Sequence, residues 1–374
     1  MLEKLRHNLL ATASWSLRGR CMSAWQVQSA GKDSQLELKQ LPMPIIRHPD
    51  DVLVKVKAFS VNPIDLRMKE GYGDVLFSTY LKFKTCTPNA TRFPLVLGRD
   101  FSGTVVQVGG NVVDLKPGDE VFGSVSLESS GTFVDYLVSK EWSIAKKPRT
   151  ISFAEAASFP HVVTSCWIPL VTLGGLQRRT RPRVFINGGS GGVGTFAIQL
   201  TKTYKAEVTV SCSADSFQLV KDLGAEHVID YKQPNAVDEL RSLEKFDIVL
   251  NLAVGELAQT GLQMLRDEVG SVYASLVTPL MSNTDEHGLV LGLMKSGLTF
   301  GEQFIKHAIN GQLYWWSYAY PDGRALRNVA RLVDAGKIKP IVSKQFSFSE
   351  TPLALQQLAR GSSRGKIVVM NDAD

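Results

Sequence analysis

The sequence predicts an α/β protein of two modules: a β-rich, barrel-like one, then a parallel sheet covered by helices. Three observations carry this. Short alternating strands separated by Gly/Pro turns fill residues 24–150. Continuous apolar strands alternating with helical patterns follow, as in a parallel sheet covered on both faces. Within them stands Arg183-Val184-Phe185-Ile186-Asn187-Gly188-Gly189-Ser190-Gly191-Gly192-Val193-Gly194, an apolar run ending in a glycine-crowded turn that opens a helix. A chain of 374 residues, 44% hydrophobic and 21% charged, is large enough for two such cores.

Taken in order, residues 1–22 contain Arg and Ser, are poor in acids and place apolar residues at helical spacing. These are the marks of a mitochondrial transit peptide, with cleavage near Arg20 to Met22; the plainer reading is a frayed surface helix. Lys4, Arg6, Arg18 and Arg20 against Glu3 account for half of the net +6. The rest shows no basic stripe with interleaved aromatics, so nucleic-acid binding is not indicated. Folded patterning starts at Ala24. Segments 52–57 and 103–108 alternate as half-buried strands. Lys116-Pro117-Gly118-Asp119-Glu120 is turn chemistry leading into Val121-Phe122, and 131–138 reads as another strand. Residues 73–93 show no clear period and read as a loop over a site. Their Asn89-Ala90-Thr91 sequon matters only in a secreted chain. Ser152-Phe153-Ala154-Glu155 has capping-box spacing and opens a helix.

Strands are then expected at 184–187, 208–211, 228–230, 247–251, 271–276 and 298–301, with helices at 193–204 and 215–223. A helix at 323–336 and a strand–helix–strand at 341–348, 353–360 and 366–370 complete the chain. The organisation predicted is a transit peptide at 1–22, a β-rich domain at 23–155, a dinucleotide-binding domain at 156–310 and a returning segment at 311–374. No apolar run approaches the roughly 18 residues of a membrane-spanning helix. Cys21, Cys86, Cys166 and Cys212 are scattered, which indicates neither a disulfide framework nor a zinc ribbon.

The chemistry is concentrated at the glycine turn. Without Cβ atoms its backbone N–H groups can approach a phosphate, and the following helix turns its positive end to the anion. A strand before it and βα units after it favour dinucleotide binding over a merely structural turn. At the end of the second strand, Val210-Ser211-Cys212-Ser213-Ala214 offers no acid for a ribose 2′-OH. Asp215 reads as a helix N-cap. Ser211, Ser213 or Lys232 could donate to a 2′-phosphate, so NADPH is the expected cofactor. The plainer alternative is that Ser211 and Ser213 only satisfy loop backbone groups.

Five motifs occur in order: Asn62-Pro63-Ile64-Asp65, Leu97 to Gly103, Pro117-Gly118-Asp119-Glu120-Val121, Gly188 to Gly194 with Gln199 and Lys202, and Leu223-Gly224-Ala225 with Asp230-Tyr231-Lys232. Together they resemble the zinc-free quinone oxidoreductase branch of the medium-chain dehydrogenase/reductase superfamily, over nearly everything after residue 24. The resemblance implies a GroES-like catalytic domain, a Rossmann domain, a C-terminal return to the first, and an active site in the cleft between them. Gly98-Arg99-Asp100 stands where zinc-dependent relatives carry Gly-His-Glu, and no four-Cys lobe exists, so no metal site is expected. The substrate oxygen must then be polarised by hydrogen-bond donors.

Asn62, Tyr72 and Arg67 are the catalytic candidates. Asp65 would orient Asn62 or Arg67, or simply pair with Arg67; Tyr72 is either a proton donor or a turn aromatic. The resemblance assigns Ser190, Gly191, Gly192 and Val193 to the pyrophosphate, and Ser213 and Tyr231 to the adenosine phosphate side. Leu276 and Arg364-Gly365-Lys366 would lie near the nicotinamide or the cleft. The implied function is an NADPH-dependent reductase of a quinone or related α,β-unsaturated carbonyl, linked to ubiquinone biosynthesis, in the mitochondrial matrix or at the outer membrane, and homodimeric as is common for the fold. Two rivals are an enoyl-thioester reductase and a cofactor-binding protein acting through a partner such as a reticulon. The tract Tyr314-Trp315-Trp316-Ser317-Tyr318-Ala319-Tyr320 would serve an interface, or else core or dimer packing.

Overall fold

A computed structural model describes residues 20–361 and 364–371. Most of the expected targeting segment, residues 1–19, lies outside them. Strand β1 (Cys21–Val27) starts three residues before the expected Ala24 and pairs antiparallel with β2 (Leu36–Pro42). β3 (Asp51–Val61), β4 (Leu95–Val96), β5 (Asp100–Val108), β6 (Glu120–Ser124), β7 (Tyr136–Lys140) and β8 (Ile144–Lys146) complete the first module. β3 pairs antiparallel with β5 and β7, and buries Val52, Val54, Val56 and Phe59 in a core shared with Phe101 and Phe133.

The expected strand 131–138 is shorter. Gly131 and Phe133 donate their N–H groups to Val96 and Leu97 instead of to a regular ladder, and only Tyr136–Lys140 runs as a strand. The segment expected as a loop contains a helix, Asp74–Thr85, none of whose residues is buried. No apolar stripe marked it, because it has little core to face.

Ser152 opens the helix Phe153–Ala157 with the expected capping box: its hydroxyl accepts from Glu155 N at 3.2 Å, and Glu155 Oε2 accepts from Ser152 N at 2.8 Å. By length and composition, the helical stretch Phe153–Arg178 could cross a membrane. Val162, Val163, Cys166 and Leu170 within it are buried in the core of the second module.

That module is built on β9 (Arg183–Asn187), β10 (Glu207–Cys212), β11 (His227–Asp230), β12 (Ile248–Asn251), β13 (Val272–Ser275) and β14 (Leu313–Trp316). The order β11-β10-β9-β12-β13-β14 is parallel throughout. Counted from β9, this is the 3-2-1-4-5-6 order, which reverses between β9 and β12 and opens a crevice at the carboxyl ends of the strands. Two expectations are corrected. Residues 298–301 lie inside the helix Leu289–Ala308, and the sixth strand comes from the aromatic tract; a four-residue apolar run cannot tell helix from strand. Asp215 lies within the 3₁₀ turn Ala214–Ser216 and caps nothing, and the helix is Phe217–Asp222.

The last two strands, β15 (Val342–Ser347) and β16 (Lys366–Met370), do not join this sheet. β16 runs antiparallel to β3, with Val368 opposite Ser60, so the end of the chain is threaded into the first module.

Candidate active site

A cleft of about 1130 Å³ runs between the modules, from the glycine turn to the start of the helix Pro63–Lys69. At the cofactor end, three strand termini are tied together. Asn187 Nδ2 donates to Asn251 Oδ1 at 2.8 Å, Ser211 Oγ donates to Asn187 Oδ1 at 2.6 Å, and Gly188 N donates to Ser211 Oγ at 2.9 Å. Ser211 is thus consumed inside the turn, and the plainer reading of that residue is correct. A Cβ on Gly194 would lie 2.2 Å from the Gly188 carbonyl oxygen, and one on Gly192 2.6 Å from Lys366 Cδ. The turn therefore excludes side chains where its N–H groups face the cleft, and that fits a pyrophosphate at the head of the helix Gly192–Thr203.

Ser190, Gly191, Gly192, Val193, Tyr231, Leu276 and Gly365 all line the cleft. Ser213 and Arg364 are not among the lining residues, and Arg364 is exposed. Of the two cations in that segment, Lys366 is the one that reaches the cleft.

Asn62, Arg67 and Tyr72 line the opposite end. Asn62 caps the helix Pro63–Lys69, because Asp65 Oδ2 accepts its N–H at 2.8 Å. Its side chain is held from both ends: Nδ2 donates to Asp100 Oδ2 at 2.8 Å, and Oδ1 accepts from Lys366 Nζ at 2.5 Å. Lys366 Nζ also lies 3.2 Å from Asp100, which further accepts from the Ser60 hydroxyl and the His161 N–H. Burial alone would raise the Asp100 carboxyl, but Lys366, His161, Asn62 and Ser60 hold it below its usual range. Burial likewise pushes the His161 imidazole down to about 4, against the pull of Asp100. Asp65 does not pair with Arg67. It is fully buried, accepts Gly98 N at 2.9 Å, and is pushed up to about 6 by burial despite Arg99.

Arg67 instead lies over the Tyr72 ring, 4.1 Å from its centroid. Burial raises the Tyr72 phenol above its ordinary value, although Arg67 pulls the other way, so it stays protonated at neutral pH. Where zinc-dependent relatives carry histidine, the buried Arg99 guanidinium donates to Ser126 O at 2.6 Å and Ser129 O at 3.3 Å. Among the described residues, no three His, Cys, Asp or Glu side chains gather as a metal site.

Sequence reasoning missed His161, Thr278 and Tyr318, all of which line the cleft. Thr278 sits two residues beyond Leu276 and could have been found by extending that segment. His161 and Tyr318 carry no spacing signal, since the fold alone turns them inward.

A phosphate cradle at a topological switch point, facing donors across a cleft, defines a dinucleotide-dependent oxidoreductase. Residues 48–149 match the alcohol dehydrogenase GroES-like domain, and 223–369 match a family described as zinc-binding dehydrogenase. The mitochondrial NAD(P)H oxidoreductase RTN4IP1 of Danio rerio is 39% identical over 94% of this chain and 92% of its own. Reticulon-4-interacting protein 1, mitochondrial, of Caenorhabditis elegans is 35% identical over 100% of both chains. The trans-enoyl reductase pgmF of Aspergillus terreus is 30% identical over 94% of this chain and 96% of its own. Among solved structures, the quinone oxidoreductase of Coxiella burnetii superposes with a TM-score of 0.75 at 26% identity, covering 94% of this chain and 99% of that one. The chain belongs to the medium-chain dehydrogenase/reductase superfamily, in the group of NAD(P)H oxidoreductases that includes these mitochondrial relatives.

Proposed function

We propose that this protein is a mitochondrial matrix reductase that uses NADPH to reduce a quinone or a related α,β-unsaturated carbonyl without a metal, in a step linked to ubiquinone biosynthesis. The observation that carries the reading is the single cleft joining the phosphate cradle to the Asn62–Arg67–Tyr72 end. The mitochondrial names of the relatives and the fold of a quinone oxidoreductase support the compartment and the substrate class.

When bound, NADPH supplies the hydride. Ser190, Gly191, Gly192 and Val193 would hold its pyrophosphate, Tyr231 would flank the adenosine phosphate, and Leu276 and Gly365 would border the nicotinamide. Ser213 lies outside the cleft lining and takes no part. No acidic residue ends β10 itself, so nothing at that strand end repels a 2′-phosphate; Asp230, at the end of β11, stands opposite Cys212. Lys232 is exposed and near enough in sequence to assist. Tyr72 stays protonated and donates to the substrate oxygen or carbon as the hydride arrives, while Arg67 stabilises the negative charge that develops on it. Asn62 keeps its carboxamide fixed by Asp100 and Lys366, with its second amide hydrogen available to the cleft.

β14 stands at the sheet edge beside the helix Leu289–Ala308, whose Val290, Leu291, Met294 and Leu298 are exposed. This edge and apolar face support a homodimer. Enoyl-thioester reduction is the second reading, favoured by the similarity to a trans-enoyl reductase. Action through a reticulon is the third, resting on the name of the Caenorhabditis relative.

The test is a titration with both dinucleotides, followed by turnover on a panel of quinones and enoyl thioesters. NADPH is expected to bind at least about tenfold more tightly than NADH. Tighter NADH binding would overturn the cofactor assignment. Turnover of thioesters alone would favour the second reading, and intact NADPH binding without turnover the third.

A further inference from the structure

The helix Asp74–Thr85 wears an apolar face on its outside. Leu76, Tyr80 and Phe83 follow one another at i, i+4 and i+7 and so share one side of it. Tyr80 is 46% exposed and Phe83 80%. The other side is the one that is held. The Arg92 guanidinium lies over the Phe77 ring, 4.5 Å from its centroid, and Arg92 N donates to Ser78 Oγ at 3.3 Å.

The charge around the outer face has one sign. Residues 75–99 include no acid and four cations, Lys82, Lys84, Arg92 and Arg99. Arg99 is buried and Arg92 half-buried, but Lys82 and Lys84 stand exposed on either side of Phe83. Lys84 lies over the Tyr80 ring, 5.6 Å from its centroid, which keeps its ammonium beside the apolar stripe. Both ends of this segment border the cleft. Tyr72 lines it just before the helix, and Gly73 N donates to Asp285 Oδ2 at 2.6 Å, which ties the helix head to the cofactor module. Beyond the helix, Arg92 donates to the carbonyl of Leu127, another cleft residue. The helix is thus an excursion from the rim of the substrate end, fixed at its base and bare at its tip.

We propose that this tip is a membrane foot: Tyr80 and Phe83, with Lys82 and Lys84, seat the protein on an anionic lipid surface and bring the mouth of the cleft to it. Aromatic side chains at headgroup level with lysines beside them are the composition of an interfacial helix, and each lysine adds attraction to anionic lipid. A stable protein interface needs about 800 Å² per partner, more than three apolar side chains and two lysines offer. The inference deepens the quinone reading and rests on it for its purpose. A quinone with a long isoprenoid tail stays in the bilayer, so the enzyme must come to it.

The experiment floats the full chain on phosphatidylcholine vesicles with and without cardiolipin, and compares the parent with Tyr80→Ser/Phe83→Ser and Lys82→Glu/Lys84→Glu. All three share residues 1–22, so the differences between them report the helix alone. The same proteins are assayed with NADPH against a water-soluble benzoquinone and against a long-tailed quinone held in the vesicles. The parent should bind the cardiolipin vesicles, and each double variant should bind them at least about tenfold more weakly. Turnover of the long-tailed quinone should fall in step. Turnover of the benzoquinone should stay within about twofold of the parent, because none of the four residues lines the cleft. A parent that does not float, or variants that float as the parent does, would overturn the foot. So would a parent whose sedimentation mass falls on replacing Phe83, since the face would then belong to a second copy. Variant-sensitive flotation without turnover of either quinone would uphold the surface and remove the quinone reading instead.

Discussion

The two ends of the cleft are built by opposite means. The cofactor end is mostly backbone: residues 188–194 run from a turn into a helix head, where a side chain at Gly192 or Gly194 would collide with Lys366 or the Gly188 carbonyl. The reactive end is built mainly from side chains: Asn62, Asp100 and Lys366 come from three separate segments and satisfy one another in a buried network that the backbone N–H of His161 completes. A backbone cradle tolerates new neighbours as long as nothing fills it. A buried ion pair tolerates no loss of a partner, because the charge left behind has no water to turn to. Lys366 belongs to both ends. Its Cδ lies where a Gly192 side chain would go, and its ammonium bonds Asn62 and Asp100.

Lys366→Met is therefore the change expected to do most damage. It leaves Asp100 buried without its cation and should cost about 3–5 kcal/mol in urea unfolding. Adding Asp100→Asn should return a large part of that loss. If the single variant unfolds like the parent, the network is not what joins the two ends.

Gly192→Asp tests the opposite kind of site. A carboxylate placed against the phosphate cradle should weaken NADPH binding by at least about 100-fold, close to 2.7 kcal/mol, in a fluorescence titration. Stability should fall less than with Lys366→Met. Affinity retained within threefold would move the phosphate elsewhere.

Acid titration gives the smallest signal. The unfolded chain takes up a proton at His161 near pH 6.5, but the native protein does so only near 4, so acidification through that window costs stability. Asp65 works in the other direction: its native carboxyl takes up a proton near 6 and the unfolded one near 3.8, so stability is lost as pH rises through 6. The two effects oppose each other in the parent. His161→Gln should therefore gain stability over the parent on acidification from pH 6.5 to 4.5, by no more than about 1.4 kcal/mol per unit. Parallel melting curves at pH 7, 5.5 and 4.5 check it, and identical slopes would show that His161 titrates normally.

The contrast explains what could be read beforehand. Nearly all of the parallel sheet was legible, because each strand is a continuous apolar run followed by a helix. The helix Asp74–Thr85 was not, since it buries nothing and its cap comes from Asp285. The run at 298–301 misled because the helix Leu289–Ala308 turns Gly292 and Ser296 inward and leucines outward, so apolar residues no longer marked the core. Ser211 looked free in the sequence and is tied to Asn187 and Gly188 in the fold. Arg67 and Asp65, opposite charges two positions apart, separate because Asp65 turns inward to Gly98 while Arg67 covers Tyr72.

The sequence by itself determined the sheet, the phosphate turn and the lack of an acid at the end of β10. Each of these depends on residues adjacent in the chain, through strand periodicity, glycine geometry and helix capping. Only the tertiary structure decided what surrounds the substrate. It set Lys366 against Asp100 and Asp285 against Gly73, pairs separated by more than two hundred positions. Local patterns cannot encode such pairs, because a buried polar group takes whichever partner the packing of two domains brings within hydrogen-bond distance.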